Sequence, residues 1–269
     1  MKLSRAAAFT SSLLLSAVLA LTGAGAAQAD PTAAALDYVA LGDSYSSGVG
    51  AGGYDSASGS CKRTPRAYPA LWAAANSPSS FAFTACSGAR TDDVTAGQLG
   101  PLSAATDLVS LTVGGNDAGF ADVMTTCVLE SEAKCLARIN QAKGYVDTIL
   151  PGRLDSVYSA VRDRAPSAHV VVLGYPRFYK LNGACVSGMT ENERRAINDA
   201  ADHLNAATAK RAVDHGFTFA DVTPAFTGHE ICSSTPWLHS VKWLDIGESY
   251  HPTAAGQSGG YLPVFRTAV

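Results

Sequence analysis

The chain has 269 residues, of which 47% are hydrophobic and 16% charged, with a formal net charge of −3. This length and composition allow one sizeable hydrophobic core and suggest one domain, or at most two. The chain is mildly acidic and has no basic cluster or polybasic run, so its charge gives no reason to expect binding to nucleic acid or to an anionic lipid surface.

The first 29 residues predict a secretory signal peptide. Basic residues precede a short apolar stretch over residues 13–21, and residues 27–29 (Ala-Gln-Ala) form a typical cleavage site. Small residues continue downstream, so cleavage as late as residue 33 is also compatible. No later segment has the ~20 uninterrupted apolar residues of a membrane helix. We therefore expect a secreted protein without a transmembrane segment, whose mature part, residues 30–269, is a single domain.

Five short apolar, β-rich runs recur along the mature chain, separated by segments of helical length. Continuous apolar runs such as residues 170–173 (Val-Val-Val-Leu) are typical of parallel strands buried on both faces. The predicted strands are Tyr38–Leu41, Phe81–Thr84, Leu108–Val113, His169–Leu173 and Phe217–Val222.

Helices are predicted between and after these strands. The clearest runs from Glu191 to His215, because Thr190 and Glu193 form a capping box and Gly216 stands where the helix would end. The two others are a helix through residues 154–161 that ends before Pro166 and a terminal helix over residues 253–265. Two glycines and a proline inside the terminal segment leave its extent open.

This alternation predicts an α/β domain, a three-layer α/β/α sandwich around a five-stranded parallel sheet. Ligands bind beyond the carboxyl ends of the strands in such sheets. Ser44, in the stretch LGDSYSSGVG (residues 41–50), comes just after the first strand, where a site is expected. A serine hydroxyl is a weak nucleophile without a neighbouring base, and a Gly-Asp-Ser tripeptide also makes ordinary turns, so Ser44 alone does not define a site.

A histidine is the expected base for acyl transfer at neutral pH. Of the six histidines, His251 stands out because Pro252 follows it and would stiffen its loop. His229 and His239 also lie in predicted loops, so position alone does not exclude them. A lone histidine is more often structural than catalytic.

Two further strand ends carry residues that suit an oxyanion site. Gly114-Gly115-Asn116-Asp117 follows the third strand, where an asparagine amide can donate to a developing oxyanion. Ser87-Gly88-Ala89 follows the second, where a glycine can present its backbone amide. Each segment is also good turn chemistry, so the combination matters more than either one.

Taken together, four blocks resemble the SGNH, or GDSL-type, hydrolase family. The blocks are Gly42-Asp43-Ser44, Ser87-Gly88-Ala89, Gly114-Gly115-Asn116-Asp117 and His251-Pro252. They occur in this order and span almost the whole mature chain. With the signal peptide and six cysteines, the chain looks most like the secreted bacterial lipases and phospholipases A1 of that family.

The resemblance implies a flavodoxin-like fold and a role for each matched residue. Ser44 would be the nucleophile and His251 the general base. The backbone amides of Ser44 and Gly88, with the side-chain amide of Asn116, would form the oxyanion hole. The mechanism needs no cofactor and no metal.

The sequence departs from the family at one position. The family usually has aspartate three residues before the histidine, and here that residue is Glu248. Either the Glu248 carboxylate orients His251, or a backbone carbonyl of Glu248 or Ser249 does so in a Ser-His dyad. We favour the dyad. Asp43 and Asp117 are expected to be structural, the first accepting backbone hydrogen bonds in its turn and the second supporting Asn116.

The six cysteines all lie in the mature part, and an even number in an exported chain predicts three disulfides, for which fifteen connectivities are possible. Zinc is the weaker interpretation, because no Cys-x-x-Cys pair occurs and the histidines are scattered. Resemblance to the family implies sequential pairing: Cys61 with Cys86, Cys127 with Cys135, and Cys185 with Cys232.

The preferred function is that of a secreted, monomeric serine hydrolase that acts on esters of lipids. A general carboxylesterase or a carbohydrate acetyl esterase remains an alternative, and a binding protein that kept the fold without activity is a third. Phe120, Val123 and Met124 could line an acyl-chain site, but ordinary helix packing is the preferred interpretation of that segment.

Overall fold

The computed structural model describes residues 36–183, 185 and 188–269. The predicted signal peptide, with both of its possible cleavage sites, lies outside the described residues. Within these ranges, no helix is long and apolar enough to cross a membrane.

A five-stranded parallel sheet forms the centre of the described chain. Its strands are β1 (Asp37–Ala40), β2 (Ser80–Phe83), β3 (Leu108–Leu111), β4 (His169–Leu173) and β5 (Thr218–Ala220). Each neighbouring pair is parallel, in the spatial order β2-β1-β3-β4-β5. This is the flavodoxin-like order, with β1 and β3 adjacent where the connections change direction. The predicted fold class is confirmed.

Helices cover both faces of the sheet. On one side, α2 packs against α9, and the two contact strands β2, β4 and β5; on the other side, α3 to α7 pack against one another, with α7 on β5. The helical segments are α1 (Ser44–Ser47), a 3₁₀ turn (Ser56–Cys61), α2 (Tyr68–Asn76), α3 (Thr91–Gly97), α4 (Phe120–Leu129), α5 (Glu132–Thr148), α6 (Leu150–Arg164), α7 (Glu191–Asp214), α8 (Thr223–Phe226), a second 3₁₀ turn (Ile246–Glu248), a π-helical segment (Gly256–Tyr261) and α9 (Leu262–Ala268).

The predicted capping box begins α7. Thr190 Oγ1 accepts from the Glu193 amide at 3.2 Å, and a Glu193 carboxylate oxygen accepts from the Thr190 amide at 2.7 Å. The helix ends at Asp214, and Gly216 follows with a φ of 68°. Here the local sequence signals and the structure agree because both ends are determined by neighbouring residues.

The terminal helix is longer than predicted and changes geometry within it. It passes through a π-helical segment, where Gly259 and Gly260 lie, before α9 continues to Ala268. A Cβ on Gly260 would lie only 2.3 Å from the ring of Phe226, so glycine is required for this close packing rather than for a helix end. Pro263 lies just after the π-helical segment, near the start of α9.

Three disulfides join the cysteines sequentially, as the family resemblance implies. They are Cys61–Cys86, Cys127–Cys135 and Cys185–Cys232. The second links α4 to α5. The first ties the 3₁₀ turn to the loop after β2, the loop that carries Gly88.

Candidate active site

Ser44 is the first residue of α1, just beyond the carboxyl end of β1. The turn before it requires glycine, because Gly42 has a φ of 121° and a Cβ there would lie 2.5 Å from the Thr112 carbonyl oxygen. The Asp43 amide donates to that same carbonyl at 2.9 Å. The end of β3 therefore determines where the Ser44 hydroxyl lies.

Asp43 is a structural acceptor within this turn, as the sequence predicts. Its buried carboxylate accepts from the Tyr45 amide at 2.9 Å, from Thr112 Oγ1 at 2.6 Å and from the Tyr175 hydroxyl. Burial raises the pKa of Asp43 to about 6, although these hydrogen bonds oppose the shift. The carboxylate thus joins β1, β3 and the loop after β4 beneath the serine.

His251 meets Ser44 across 207 positions of sequence. Its Nε2 lies 2.7 Å from Ser44 Oγ, and its Nδ1 lies 3.0 Å from the backbone carbonyl oxygen of Ser249. A carbonyl oxygen can only accept, so this contact places the imidazole proton on Nδ1 and leaves Nε2 free to accept from the serine.

Glu248 points away from the imidazole. Its carboxylate accepts from the Tyr54 hydroxyl and pairs with Lys242 Nζ. Between Glu248 and His251, Tyr250 adopts a left-handed backbone with a φ of 67°. Its carbonyl accepts from the Tyr45 hydroxyl at 2.8 Å. This geometry agrees with the dyad version of the site, in which the Ser249 carbonyl holds the ring.

The three expected oxyanion donors border the same cavity as Ser44 and His251. Among the described residues, neither the Ser44 amide nor the Gly88 amide has an acceptor, and one hydrogen of the Asn116 side-chain amide binds the Ala89 carbonyl at 3.1 Å. The loop of Gly88 is held by the Cys86 amide on the Gly42 carbonyl at 2.9 Å. Two backbone amides without an acceptor thus belong to residues that border the cavity of the serine.

Asp117 was expected to support Asn116, and this prediction was wrong. Asp117 accepts from the Thr91 amide and from Thr91 Oγ1, the latter at 2.6 Å, rather than from Asn116. It thereby anchors the start of α3 beside the loop after β3. The sequence could not reveal this because the two residues are distant in the chain.

The other histidines have partners elsewhere. His229 and His239 lie in loops, so the sequence did not exclude them as the catalytic base. His229 stacks on Trp237, and His239 Nε2 lies 2.8 Å from the Gly50 carbonyl oxygen. His203 and His215 lie beside Asp147 and Asp155, and His169 beside the Ala268 carbonyl. Within the described ranges, no group of three or more histidine, cysteine or acidic side chains is placed to hold a metal ion.

An apolar cavity of about 550 Å³ opens beside the serine. Phe120, Val123 and Met124 line it, and Val123 and Met124 also belong to the core, so this segment has both of the roles weighed from the sequence. Sequence reasoning missed further wall residues, among them Tyr175, Phe178, Leu204, Trp243 and Ile246. The adjacent apolar residues Trp243-Leu244 within a polar loop were the one available signal.

Comparisons with known proteins identify the family of this chain. The model of the GDSL-like lipase/acylhydrolase family matches residues 40–258. This chain belongs to the GDSL-like lipase/acylhydrolase family.

Individual relatives within the family are similar over nearly their whole length. Lipase 1 of Streptomyces coelicolor is 68% identical over 264 residues, covering 98% of both chains. A lipase of Streptomyces rimosus is 64% identical over 268 residues, covering 100% of both. The crystal structure of a phospholipase A1 from Streptomyces albidoflavus NA297 superposes with a TM-score of 0.86 at 72% identity, over 88% of this chain and 100% of that one. The family match and these lipase relatives show that this GDSL-like protein is an ester hydrolase.

The environment of His251 favours its neutral form. Burial lowers the pKa of His251 from 6.5 to about 4, although hydrogen bonds to the backbone at Ser249 and Glu248 oppose the shift. The ring is therefore neutral, and able to accept a proton, at any pH well above 4.

We predict that His251 titrates near pH 4 in the folded enzyme, because burial disfavours the imidazolium. The measurement is an NMR titration of the imidazole resonances, with the His251 signal assigned by its loss in His251→Gln. The kcat/KM for a neutral ester should fall on the acid side with the same midpoint. A midpoint at or above the ordinary value of 6.5 would show that burial does not control this group.

We predict that Glu248→Gln lowers kcat by less than tenfold, since the carboxylate contacts Tyr54 and Lys242 rather than the imidazole. Steady-state kinetics on a soluble ester would check this. His251→Gln serves as the control and should lose roughly a thousandfold or more. A loss of several thousandfold in Glu248→Gln would restore a triad with a carboxylate.

Proposed function

We propose that this protein is a secreted serine hydrolase that cleaves acyl esters of lipids, of the phospholipase A1 or lipase type, through an acyl-enzyme on Ser44. The observation that carries the proposal is the 2.7 Å contact between Ser44 Oγ and His251 Nε2 at the edge of the apolar cavity. A nucleophile paired with its base beside a surface that suits an acyl chain is the arrangement that this reaction needs.

In the first half of the reaction, Ser44 Oγ attacks the ester carbonyl carbon while its proton passes to His251 Nε2. The resulting tetrahedral intermediate collapses when the bond to the alcohol oxygen breaks, and His251 returns the proton to the leaving alcohol. In the second half, His251 takes a proton from water, and the hydroxide attacks the acyl group. The fatty acid leaves, and Ser44 recovers its proton.

The negative oxygen of each tetrahedral intermediate would lie against the amides of Ser44, Gly88 and Asn116. Since neither backbone amide has an acceptor within the described part of the chain, both are available without breaking a protein hydrogen bond. Removal of one such donor costs roughly 3–4 kcal/mol of transition-state stabilisation in other enzymes. The Cys61–Cys86 disulfide restrains the loop that presents the Gly88 amide.

The carbonyl of Ser249 would fix the tautomer of His251 in place of a carboxylate. A carbonyl stabilises an imidazolium less than a charged group does, which agrees with the lowered pKa of His251. The base is accordingly weak, so the proposal assigns most of the stabilisation of the transition state to the oxyanion donors.

The lipid part of the proposal rests on the cavity and on the relatives. Each methylene that an acyl chain buries contributes about 0.8 kcal/mol, so a wall of the size and apolar character found here favours long chains over an acetyl group. The named lipase and phospholipase A1 relatives support the same substrate class. Secretion is supported by three disulfides, which persist in oxidising compartments.

No partner subunit is needed for this chemistry, because every residue proposed to take part comes from one chain. We expect a monomer. The proposal also requires no cofactor, since the proton transfers run between Ser44, His251, the substrate and water.

We predict that the enzyme releases the sn-1 fatty acid from a mixed-acyl phosphatidylcholine, identified by mass spectrometry of the free acids. A triglyceride and a short-chain ester run alongside, and Ser44→Ala is the blank. Because long acyl chains fill the cavity, the long-chain substrates should give the higher kcat/KM. Turnover of the short-chain ester alone would contradict the lipid assignment and favour a general esterase.

A further inference from the structure

Four large apolar side chains stand exposed on the surface around the cavity. We call Leu129, Trp243, Leu244 and Ile246 the apolar rim. Their exposed fractions are 66%, 71%, 104% and 63%. Leu129, Trp243 and Ile246 also line the cavity of Ser44, and Leu244 adjoins them in the loop. The rim is thus continuous with the cavity in which the proposed reaction takes place.

Single exposed apolar residues are normal on protein surfaces, but a cluster beside a binding cavity indicates an interaction site. Of the large hydrophobic side chains exposed in the described part of the chain, half belong to this rim. Tryptophan has an apolar ring with one polar N–H, and it is enriched where proteins meet the boundary between lipid and water. The composition of the rim suits a lipid surface.

The charged side chains of the loop that carries Trp243, Leu244 and Ile246 are paired within the protein. Lys62 Nζ lies 3.8 Å from Asp245 Oδ1, and Lys242 Nζ pairs with the Glu248 carboxylate. Lys242, from the loop that carries Trp243 and Leu244, and Lys62, from the end of the first 3₁₀ turn, thus offset the two anions of that loop. A loop without excess charge suits a zwitterionic lipid headgroup and has no net positive charge to attract an anionic one.

We propose that the apolar rim docks this enzyme on the surface of zwitterionic lipid, so that an acyl chain passes from the lipid into the cavity without crossing water. This inference rests on the proposed function and adds the physical state of the substrate: lipid in an aggregate or bilayer. Leu244 does not line the cavity, so its exposed side chain contributes to docking rather than to the reaction.

The fluorescence of Trp243 reports docking directly. Trp72 is only 5% exposed, and Trp237 stacks on His229 with ring centroids 3.6 Å apart, so Trp243 is the tryptophan whose surroundings change. The assay uses the Ser44→Ala protein with phosphatidylcholine vesicles, so that no hydrolysis alters the membrane. Emission spectra and co-sedimentation give the partition coefficient.

We predict that Ser44→Ala binds phosphatidylcholine vesicles with a blue shift of emission, and that adding Leu244→Ser weakens partitioning by about tenfold. The matched control is Val213→Ser, a side chain 65% exposed at the end of α7 that leads into the amino end of β5, opposite the site. That variant should bind within about twofold of its parent. Absent binding, equal binding of the Leu244→Ser protein, or binding only to anionic vesicles would overturn docking by the rim.

An assay on a monomeric substrate distinguishes a failure of the docking role from a failure of the proposed hydrolase activity. The active enzyme and its Leu244→Ser variant are assayed on dihexanoyl phosphatidylcholine below its critical micelle concentration, where no interface exists. Equal turnover by the two proteins is expected. If the active enzyme hydrolyses neither this monomer nor long-chain phosphatidylcholine, the proposed function fails whatever the vesicle binding shows; if the variant alone loses activity on the monomer, Leu244 acts in the reaction and the docking role is wrong.

Discussion

The contact between Ser44 and His251 is the interaction on which the rest of the arrangement depends. It joins residues from opposite ends of the described chain, at a separation of 207 positions, and each must be placed by other contacts. The terminal segment is held by Gln257, whose side chain binds the Tyr68 amide at 2.9 Å and the Tyr45 carbonyl at 3.0 Å. The Tyr45 hydroxyl in turn binds the carbonyl of Tyr250. The helix that begins with the serine therefore also fixes the loop of the histidine.

The strands and several site residues could be predicted because they depend on local sequence patterns. Apolar runs gave the five strands, and turn residues after them gave Ser44, Gly88 and Asn116, because strand ends of a parallel sheet meet at one edge. The orientation of Glu248 could not be predicted. It depends on contacts with Tyr54, which is distant in the chain, and with Lys242. The spacing of residues in the sequence does not show which groups a carboxylate will contact.

The cavity illustrates the same limit. Its walls combine α4, α5 and α7 with the loop that carries Trp243, and only packing of these elements decides which side chains border empty space. Val123 and Met124 fit a helix-packing pattern and do pack, yet they also face the cavity. The extent of the terminal helix was equally hard to judge, because Gly259 and Gly260 lie inside it and allow close contacts with Trp237 and Phe226 rather than a chain reversal.

The most direct test of the central claim is labelling with a fluorophosphonate, followed by mass spectrometry of the peptides. If Ser44 is the nucleophile that His251 activates, one phosphonyl group will be found per chain, on the peptide that contains Ser44. Labelling will then be strongly slowed in His251→Gln. A phosphonyl group on a different residue, or labelling at an unchanged rate in His251→Gln, would contradict the account.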